Sequence, residues 1–354
     1  MRPLTLAALA AIAAVTGIAA ILVVPSGEAP DAKLGQRIFP ELAARSGDVR
    51  SIELQRPDGT ITIQRDGEIW RVPARSSYAA DVAKIRQLFV EVSDLRTLEA
   101  KTRNKALYAS LEVEDRDQAE AKSTRLEFKD AAGKEILALL AGKNRFGRGG
   151  GGEDAVYVRR AGDSQAWLAK GRLTVSREAL HWVDREVTNI TRDRVSEASV
   201  RHADGTTLVL RRAAVTERDF TIVDLPADRK PKSSWEVGAV AGGFDRLELD
   251  DVRKASDLAI PPDAPATMIT TFDGLTLTAR FVEVDGATWV AISAQAAPPA
   301  ELPAGGAGLK TADQVKAEAE ALNRKLSPWV YKLPAFNLES LRRKLDDLLE
   351  PKAS

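Results

Sequence analysis

The chain has 354 residues, a length typical of about two domains. Its 51 Lys and Arg residues balance 51 Asp and Glu residues, which argues against a nucleic-acid-binding protein because affinity for phosphate backbones comes mainly from surplus basic residues. The absence of cysteine excludes disulfides, a thiolate nucleophile and Cys-ligated zinc or iron–sulfur sites. With only two histidines, His181 and His202, a metal site built from several imidazoles is nearly excluded as well.

The N-terminal residues predict a membrane anchor. The 21 residues Leu4–Val24 carry no charge, and as a helix they would span about 31 Å, enough for a hydrocarbon core of about 30 Å. The alternative is a cleaved signal peptide, whose apolar region is usually about 7–15 residues long and ends in a small-x-small site. This run is longer and ends Val23-Val24-Pro25. We therefore expect an uncleaved single-pass helix, residues 1–25, as an anchor.

The charges around this helix predict its orientation. Arg2 precedes it, whereas Glu28 and Asp31 come before the first Lys that follows it. By the positive-inside rule the N-terminus is cytoplasmic, and the bulk of the chain lies outside the cytoplasm.

A linker over residues 26–47 leads into a predicted first α+β domain, residues 48–194. Ser51–Val72 alternates between apolar and polar residues and is interrupted at Asp58-Gly59 and Asp66-Gly67, the pattern of a three-stranded meander. A helix opening at Ala80-Asp81 should follow, because apolar residues then recur at helical spacing. They are Val82, Ile85, Leu88, Phe89, Val92 and Leu95.

The rest of this domain predicts more strands and one short helix. The strands are centred on Leu126 and Phe128, on residues 136–140, on Val156 and Val158, and on Trp167-Leu168. Ser176 is the expected cap of a short helix that carries Leu180, Trp182 and Val183.

A second α+β domain, residues 195–335, is predicted as a duplicate of the first. The Asp204-Gly205 hairpin matches Asp58-Gly59, and Asp273-Gly274 matches the hairpin near Asp130 and Gly133. The six tryptophans pair in order with similar neighbours: Trp70 with Trp235, Trp167 with Trp289, and Trp182 with Trp329. The alternative is that such hairpins and core tryptophans recur by chance in a β-rich chain.

The remaining C-terminal residues are predicted to be helical. Thr311 and Gln314 form a capping-box pattern before an apolar stripe, and Pro328 should end that helix. Asn337 is the expected cap of a C-terminal helix within residues 336–354, with one apolar face made of Leu338, Leu341, Leu345 and Leu348. This helix is either a docking element or a cap on the second domain.

The sequence contains no complete motif of nucleotide binding or nucleophilic catalysis. Gly147-x-Gly149-x-x-Gly152 has the spacing of a dinucleotide fingerprint, but a strand pattern follows it where a helix is needed. Gly142-Lys143 lacks the Ser or Thr and the upstream glycine of a phosphate loop. Ser176 and His181 are close in sequence without a nucleophile elbow. We expect His181 to pack against Trp182 or lie at the surface, and His202 to be exposed to solvent.

Acidic and aromatic residues give no stronger candidate. The acidic run has no calcium-loop spacing and is expected to be solvated; it comprises Glu112, Glu114, Asp115, Asp117 and Glu120. The tryptophans could line a sugar-binding surface, but their place within apolar strands favours core packing. We therefore assign no catalytic, metal-binding or cofactor-binding residue and no cofactor.

Several of these segments resemble the bacterial domain-of-unknown-function family 4340. The resemblance rests on Trp70-x-Val72, on Ala80-Asp81 opening a helix, on Trp167-Leu168, and on the segment from Trp182 to Ile190. It implies a membrane-anchored extracytoplasmic protein of the bacterial inner membrane, often linked to ABC-type export systems similar to gliding-motility auxiliary components. It implies no catalytic residue.

Two functions follow as expectations. The first is a non-enzymatic accessory or scaffold protein that binds subunits of an ABC-type transporter in the envelope. The second is an envelope glycan-binding module, or a hydrolase with an unrecognised carboxylate site.

Overall fold

The computed structural model describes residues 34–117, 120–146, 153–303 and 308–351. The predicted anchor Leu4–Val24 and the Gly147–Gly152 motif lie outside these ranges. Within them, no helix has both the length and the apolar character that crossing a membrane requires. The fold is α+β, with large antiparallel sheets and few helices, as the sequence predicts.

The described helices are short except for two. They are α1 (Pro40–Arg45), α2 (Val82–Asp94), α3 (Tyr108–Leu111), α4 (Ser234–Val237), α5 (Ala312–Leu326) and α6 (Ala335–Leu341).

The strands fall in two runs along the chain. The first run comprises β1 (Ser51–Arg56), β2 (Gly59–Asp66), β3 (Ile69–Val72), β4 (Tyr78–Ala79), β5 (Arg96–Thr102), β6 (Thr124–Lys129), β7 (Glu135–Arg145), β8 (Ala155–Arg160), β9 (Ala166–Lys170) and β10 (Glu186–Thr188). The second run comprises β11 (Val195–Arg201), β12 (Thr207–Arg211), β13 (Thr221–Ile222), β14 (Leu247–Glu248), β15 (Asp251–Lys254), β16 (Ala266–Thr271), β17 (Leu275–Val284), β18 (Ala287–Ala296) and β19 (Trp329–Lys332).

The chain divides into two compact units. One contains the described residues up to Ser46 together with Phe89–Leu126 and Leu137–Thr174, and the other contains Gly47–Leu88, Glu127–Ile136 and the described residues from Val175 onward. The predicted domain boundaries at residues 48, 195 and 336 stay predictions.

In the first unit the strands lie in the order β6-β7-β8-β9-β5. Neighbouring strands are antiparallel, and Trp167 of β9 lies opposite Val158 of β8 on one side and Ala100 of β5 on the other. Leu139, Val158 and Leu168 are fully buried. Leu139 and Val158 lie on one face of these strands and Leu168 on the other, so burial of both faces provides the core of this unit.

In the second unit the predicted three-stranded meander is confirmed as β3-β2-β1, and the unpredicted strand β4 pairs with β3. Ile52 of β1 lies opposite Ile63 of β2, and both are fully buried. The Asp66-Gly67 turn works because Gly67 adopts φ of +59°, which side-chain-bearing residues avoid. The register of the meander therefore follows from its turns and its alternating pattern.

The helix predicted after the meander is α2, and it begins where the sequence indicates. Asp81 caps it, since its carboxylate accepts hydrogen bonds from the backbone N–H groups of Ala83 and Lys84 at 2.9 and 3.1 Å. Ile85 and Leu88 are buried. Val82 is predicted in the apolar stripe but is exposed.

The eight-stranded sheet of the second unit has the order β13-β12-β11-β16-β17-β18-β19-β15. The same order of corresponding strands appears in β3-β2-β1 and in β6-β7-β8-β9-β5. The Asp58-Gly59 and Asp204-Gly205 turns connect corresponding strand pairs. The turn after Thr271 also corresponds to the one after Lys129, and Gly274 is required there because a Cβ would lie 2.3 Å from the Ala297 carbonyl oxygen.

The predicted pairing of tryptophans is wrong. Trp70 lies in β3, whereas Trp235 lies on α4. Trp289 lies in β18 and Trp182 in a 3-10 helix, so neither occupies the place of its predicted partner. The strand order instead matches Trp167 of β9 with Trp329 of β19. The residues next to each tryptophan do not identify its position in the fold, because Trp-Val and Trp-Leu pairs are common in strands.

Two helix caps also differ from the prediction. The predicted helix after Ser176 is a single 3-10 turn, Ala179–Trp182, that begins after Glu178. The last α-helix, α6, begins after Pro334 rather than at Asn337, and Asn337 is buried inside it. Proline fixes φ near the helical value, so it serves well just before a first turn. The C-terminal helix is also short, since Leu345–Leu348 forms a separate 3-10 turn.

The capping box before α5 is confirmed. The Thr311 hydroxyl accepts a hydrogen bond from the Gln314 N–H, and the Gln314 side chain accepts one from the Thr311 N–H. The other end of α5 is attached to β18, because the Asn323 amide both accepts from the Ala294 N–H at 2.9 Å and donates to the Ala294 carbonyl at 2.8 Å. The helix is thereby fixed against the second sheet.

A buried ion network joins three parts of the second sheet. Arg194, which precedes β11, donates to both carboxylate oxygens of Asp273 at 3.0 to 3.2 Å and to both of Glu318 at 2.9 and 3.0 Å. Asp273 is fully buried in the turn between β16 and β17 and also accepts from the Lys310 N–H at 2.9 Å. Glu318 belongs to α5 and forms an ion pair with Lys310 at 2.7 Å. The network therefore ties a strand, a hairpin turn and a helix.

The environment of Asp273 favours its charged form. Burial alone would raise its pKa, but the hydrogen bonds from the Lys310 N–H and the Thr271 hydroxyl, with the Arg194 charge, outweigh it and hold the pKa below the usual range. Burial likewise opposes ionisation of Glu318, and Arg194 and Lys310 lower its pKa in the same way. Carboxylates with lowered pKa values stabilise the fold fully above their unfolded pKa, about 4, and lose that contribution as pH falls through the folded value.

Replacing Asp273 tests this network. Because Asp273→Asn leaves Arg194 partly uncompensated, we expect the free energy of unfolding to fall by about 3–5 kcal/mol at pH 7, measured by urea denaturation. The difference from the parent should shrink as pH is lowered toward 3. The control is Glu197→Gln, which breaks the exposed Arg211–Glu197 pair and should cost less than about 1 kcal/mol. Equal losses in the two variants would contradict the role of the network.

Two tryptophans provide a second test. Trp70 is 9% exposed, and Trp70→Ala should lower the free energy of unfolding by about 3–5 kcal/mol. Trp235 is 72% exposed, and Trp235→Ala should change it by less than about 0.5 kcal/mol. Denaturation midpoints of the two variants check this directly. A large loss from Trp235→Ala would show that this side chain is needed for folding.

Candidate functional site

One candidate site is a cleft of about 520 Å³ in the second unit, which we name the Trp329 cleft. Its lining includes Gln64, Asp66, Arg71, Ser76, Lys254 and Trp329. The β2–β3 hairpin supplies the first three, and the antiparallel pair β15–β19 places Lys254 opposite Trp329. With Arg65 and Ser77, which also line it, the cleft combines one carboxylate, three cations, one amide and two hydroxyls with one indole.

The rim of the cleft has an unusual backbone. Ser76 and Ser77 both adopt positive φ, +54° and +62°, directly after the 3-10 turn Pro73–Arg75. Side-chain-bearing residues rarely adopt this region, and each such residue costs about 1–3 kcal/mol. Arg71 supports the turn, since its guanidinium donates to the Ser77 carbonyl at 3.2 Å and pairs with Asp66 at 3.1 Å. The strained turn is thus attached to the wall of the cleft.

An aromatic cluster lies beside the cleft. Tyr78 contacts Trp329 edge to face, with ring centroids 4.8 Å apart, and Tyr331 in the same manner at 6.2 Å. Burial raises the pKa of Tyr78 to about 12, and it raises the pKa of Tyr331 still further. Both phenols therefore stay protonated at physiological pH. The cluster supports Trp329 from one side with neutral, closely packed rings.

A second candidate, which we name the aromatic surface, comprises the exposed side chains of Trp235 and Phe336, which are 72% and 69% exposed. Trp235 lies on α4, which is capped by Ser233: its hydroxyl accepts from the Glu236 N–H and donates to the Glu236 carboxylate at 2.7 Å. Phe336 lies on α6, whose Leu341 is fully buried. Both side chains point outward from helices that are themselves well attached.

The segments that carry these rings are tied to each other by the backbone. The Lys232 N–H donates to the Leu348 carbonyl at 2.8 Å, and the Glu350 N–H donates to the Lys230 carbonyl at 2.9 Å. Gly243 allows close packing, because a Cβ there would lie 2.5 Å from Leu341. The C-terminal segment proposed from sequence as a docking helix is therefore packed on the second unit through Leu341 and Leu348, and only its outer side, with Phe336, faces solvent.

Ser176 and His181 each have a structural role. The Ser176 hydroxyl accepts from the Glu178 N–H at 3.2 Å, and the His181 ring lies edge to face against Trp182 with centroids 5.0 Å apart. Burial, with the charge of Lys84, lowers the pKa of His181. The expected packing role of His181 is confirmed.

His202 differs from its prediction. We expected an exposed side chain beside a turn, but its Nε2 atom is buried and has no hydrogen-bond partner among the described residues. The turn itself is as predicted, with the Gly205 N–H donating to the His202 carbonyl at 3.1 Å. Sequence shows the turn but not the C-terminal residues that cover the ring, since they come about 140 positions later.

The other sequence candidates are structural as well. Gly142 and Lys143 lie within strand β7, and the Lys143 ammonium donates to the Ser110 carbonyl at 3.0 Å. In the acidic run, Asp115 pairs with the buried Arg159 and Glu114 is buried, so the run is not uniformly solvated as predicted. Across the described ranges, no cluster of three or more His, Asp or Glu side chains is arranged to hold a metal ion.

The tryptophans divide between core and surface. Trp70, Trp182 and Trp289 are buried, as the core-packing interpretation predicts. Trp235 is exposed and Trp329 lines the cleft. A readable signal marks Trp235, since Ser233-x-x-Glu236 is a capping-box sequence that places the residue on the first turn of a helix. No such signal marks Trp329, because its neighbours come from distant strands.

A comparison with protein families bears on this architecture. The model of the family described as a domain of unknown function, DUF4340, matches residues 70–262, which is more than half of the chain. The chain belongs to the DUF4340 family. The match begins at Trp70, as the resemblance in the sequence does, and extends past Ile190 and past the end of β15. No curated protein matches this DUF4340 chain.

Proposed function

We propose that this DUF4340 protein is a non-enzymatic accessory protein, anchored in the bacterial inner membrane, that binds subunits of an ABC-type export system outside the cytoplasm. The observation that supports the proposal is the exposure of Trp235 on a capped helix. Tryptophan is enriched among the residues that contribute most to protein interfaces. A large exposed indole held on an ordered element is what such an interface needs.

The attachment of α4 and α6 lowers the cost of binding. Ordering a flexible side chain or loop on association costs about 0.5–1.5 kcal/mol for each immobilised side chain. Here the Ser233–Glu236 cap and the Lys232–Leu348 hydrogen bond hold the backbone before any partner arrives. The surface is thus preorganised for binding.

The predicted anchor would add to this affinity. We propose that Leu4–Val24 spans the membrane with the N-terminus in the cytoplasm, since the uncharged run is long enough and Arg2 precedes it. Tethering at the membrane raises the effective concentration of the periplasmic residues near an integral-membrane partner. A weak contact through Trp235 could then hold a complex.

We also propose that the two runs of strands descend from one duplicated sheet-plus-helix unit. The shared strand order, the matching hairpins and the Trp167–Trp329 correspondence support this. In the first copy the long helix α2 precedes the edge strand β5, and in the second copy the short helix α4 precedes β15. The exposed Trp235 thus lies where the copies diverge, a natural place for a new binding surface.

A second function is favoured by the Trp329 cleft, namely binding of an envelope glycan. Sugars stack on indole rings and accept and donate hydrogen bonds, and the cleft offers Trp329 with Gln64, Asp66 and Arg71. The cleft and the aromatic surface share no residue, so the two functions can be separated by substitution.

Affinity purification of the full chain from native membranes in mild detergent tests both functions. We expect a permease or ATPase subunit of an ABC-type exporter to copurify, and Trp235→Ala to lower its recovery about tenfold or more, as for a central interface tryptophan. Val90→Ala, at another exposed apolar residue, is the matched control and should retain the subunit.

Trp329→Ala distinguishes the alternative. Retention of the transporter subunit in this variant agrees with the accessory function. Loss of bound glycan in Trp329→Ala, with no transporter subunit in any sample, would instead favour the glycan-binding function and contradict the first proposal.

A further inference from the structure

A cavity of about 290 Å³ lies at one end of the second sheet. The turn between β11 and β12, the residue before β16, strand β17 and the segment after α6 contribute to its wall. We name it the His202 cavity, and its lining includes Arg201, His202, Asp204, Phe281, Arg342 and Lys344. It shares no residue with the Trp329 cleft or the aromatic surface.

The wall of the cavity is mainly cationic. Arg201 is held in place because its guanidinium donates to the carbonyls of Asp263 and Ala264 at 2.8 and 2.7 Å. Arg342 pairs with Glu283 at 2.9 Å and lies over the Phe281 ring at 5.8 Å. Lys344 adds a third positive charge, and Asp204 is the one acidic residue among the lining residues. With Arg342 paired to Glu283, the cavity still keeps a net positive charge, which favours an anion.

The unsatisfied nitrogen of His202 indicates what kind of anion. Nε2 is buried and has no hydrogen-bond partner among the described residues. A buried polar atom without a partner costs about 1–3 kcal/mol, so its presence calls for an explanation. A ligand that occupies the cavity and hydrogen-bonds to this nitrogen would remove that cost.

The charge state of the His202 ring restricts the ligand further. Burial lowers the pKa of His202, and Lys344 and Arg342 lower it too, whereas Asp204 and the backbone of Arg343 act in the opposite direction. The ring is therefore neutral near pH 7, and a neutral ring offers one nitrogen that accepts a hydrogen bond. The matching ligand has negative oxygens for the cations and one O–H for the imidazole.

We propose that the His202 cavity binds a phosphate group. A phosphate near neutral pH carries both negative oxygens and, in its monoanionic form, an O–H donor, since its second pKa is about 6 to 7. Sulfate has the same shape and charge but no proton to donate at this pH. Binding to the cavity should therefore be stronger for phosphate than for sulfate. The phosphate can be inorganic or belong to a lipid headgroup, and the test separates these sources.

The two histidines of the chain make the test direct. With the full chain in detergent micelles and ¹³C-labelled histidine, we expect inorganic phosphate to shift the NMR signals of the His202 ring and to raise its pKa, because a bound anion stabilises the imidazolium. The His181 signals serve as the internal control and should not move. Sulfate at the same concentration should give a weaker effect.

Charge variants then assign the shift to the cavity. Lys344→Gln should weaken phosphate binding about tenfold through loss of one charge-assisted contact. Asp204→Asn should tighten it, because a repulsive charge is removed. Lys316→Gln, at an exposed lysine of α5, is the matched control and should leave binding unchanged.

A short-chain phosphatidic acid added to the micelles, compared with phosphatidylcholine, tests the lipid source. A response of His202 to phosphatidic acid but not to inorganic phosphate assigns a lipid headgroup, and a response to inorganic phosphate assigns a free phosphate. The proposal is overturned if His202 responds to neither, or if Lys344→Gln and Lys316→Gln respond alike. Because no partner protein is involved, failure here leaves the accessory function standing.

Discussion

The arrangement of the eight-stranded sheet depends on one largely buried guanidinium, that of Arg194. The Arg194 guanidinium donates hydrogen bonds to two carboxylates, Asp273 in a hairpin turn and Glu318 on α5. It thereby fixes the turn and the helix relative to the start of β11. Desolvating these charges is unfavourable, and the network is stable only because each member has several hydrogen bonds. Such a network favours one arrangement of strand, turn and helix over its alternatives.

The proposed accessory function and the proposed duplication are connected. Under the proposed duplication the two copies start with the same surfaces, and the first copy carries the long helix α2, whose Ile85 and Leu88 are buried. In the second copy a four-residue helix takes the corresponding place in the sequence and exposes Trp235. The helix α5, inserted between β18 and β19, is held to β18 by Asn323. In the second copy, hydrogen bonds from α5 thus hold the sheet, whereas the exposed residues of α4 are not constrained by packing.

The sequence predicts the local features of this fold well. The meander over Ser51–Val72, the Asp81 cap and the Thr311–Gln314 capping box depend on residues a few positions apart, and each forms as expected. The errors concern contacts between distant residues. The tryptophan pairing fails because similar dipeptides occur in non-equivalent strands. The prediction that His202 is exposed fails because residues near position 343 cover its Nε2 atom. Neither could be read from local patterns.

The candidate sites divide along the same line. The exposure of Trp235 follows from a short capped helix and was within reach of sequence reasoning through Ser233-x-x-Glu236. The Trp329 cleft and the His202 cavity unite residues separated by more than a hundred positions, so only the folded chain shows them. Sequence alone also missed Asp273 as an ion partner, because a turn-forming Asp-Gly pair already explains that residue.

The central claim is that the protein works by direct contact between Trp235 and a transporter subunit. Site-specific photo-crosslinking in living cells tests it most directly, with a photoreactive phenylalanine analogue at position 235 and, as the control, at position 90. We expect a crosslinked product between position 235 and a permease or ATPase subunit of an ABC-type exporter, and none from position 90. Equal crosslinking from both positions, or no transporter adduct at position 235, would contradict it.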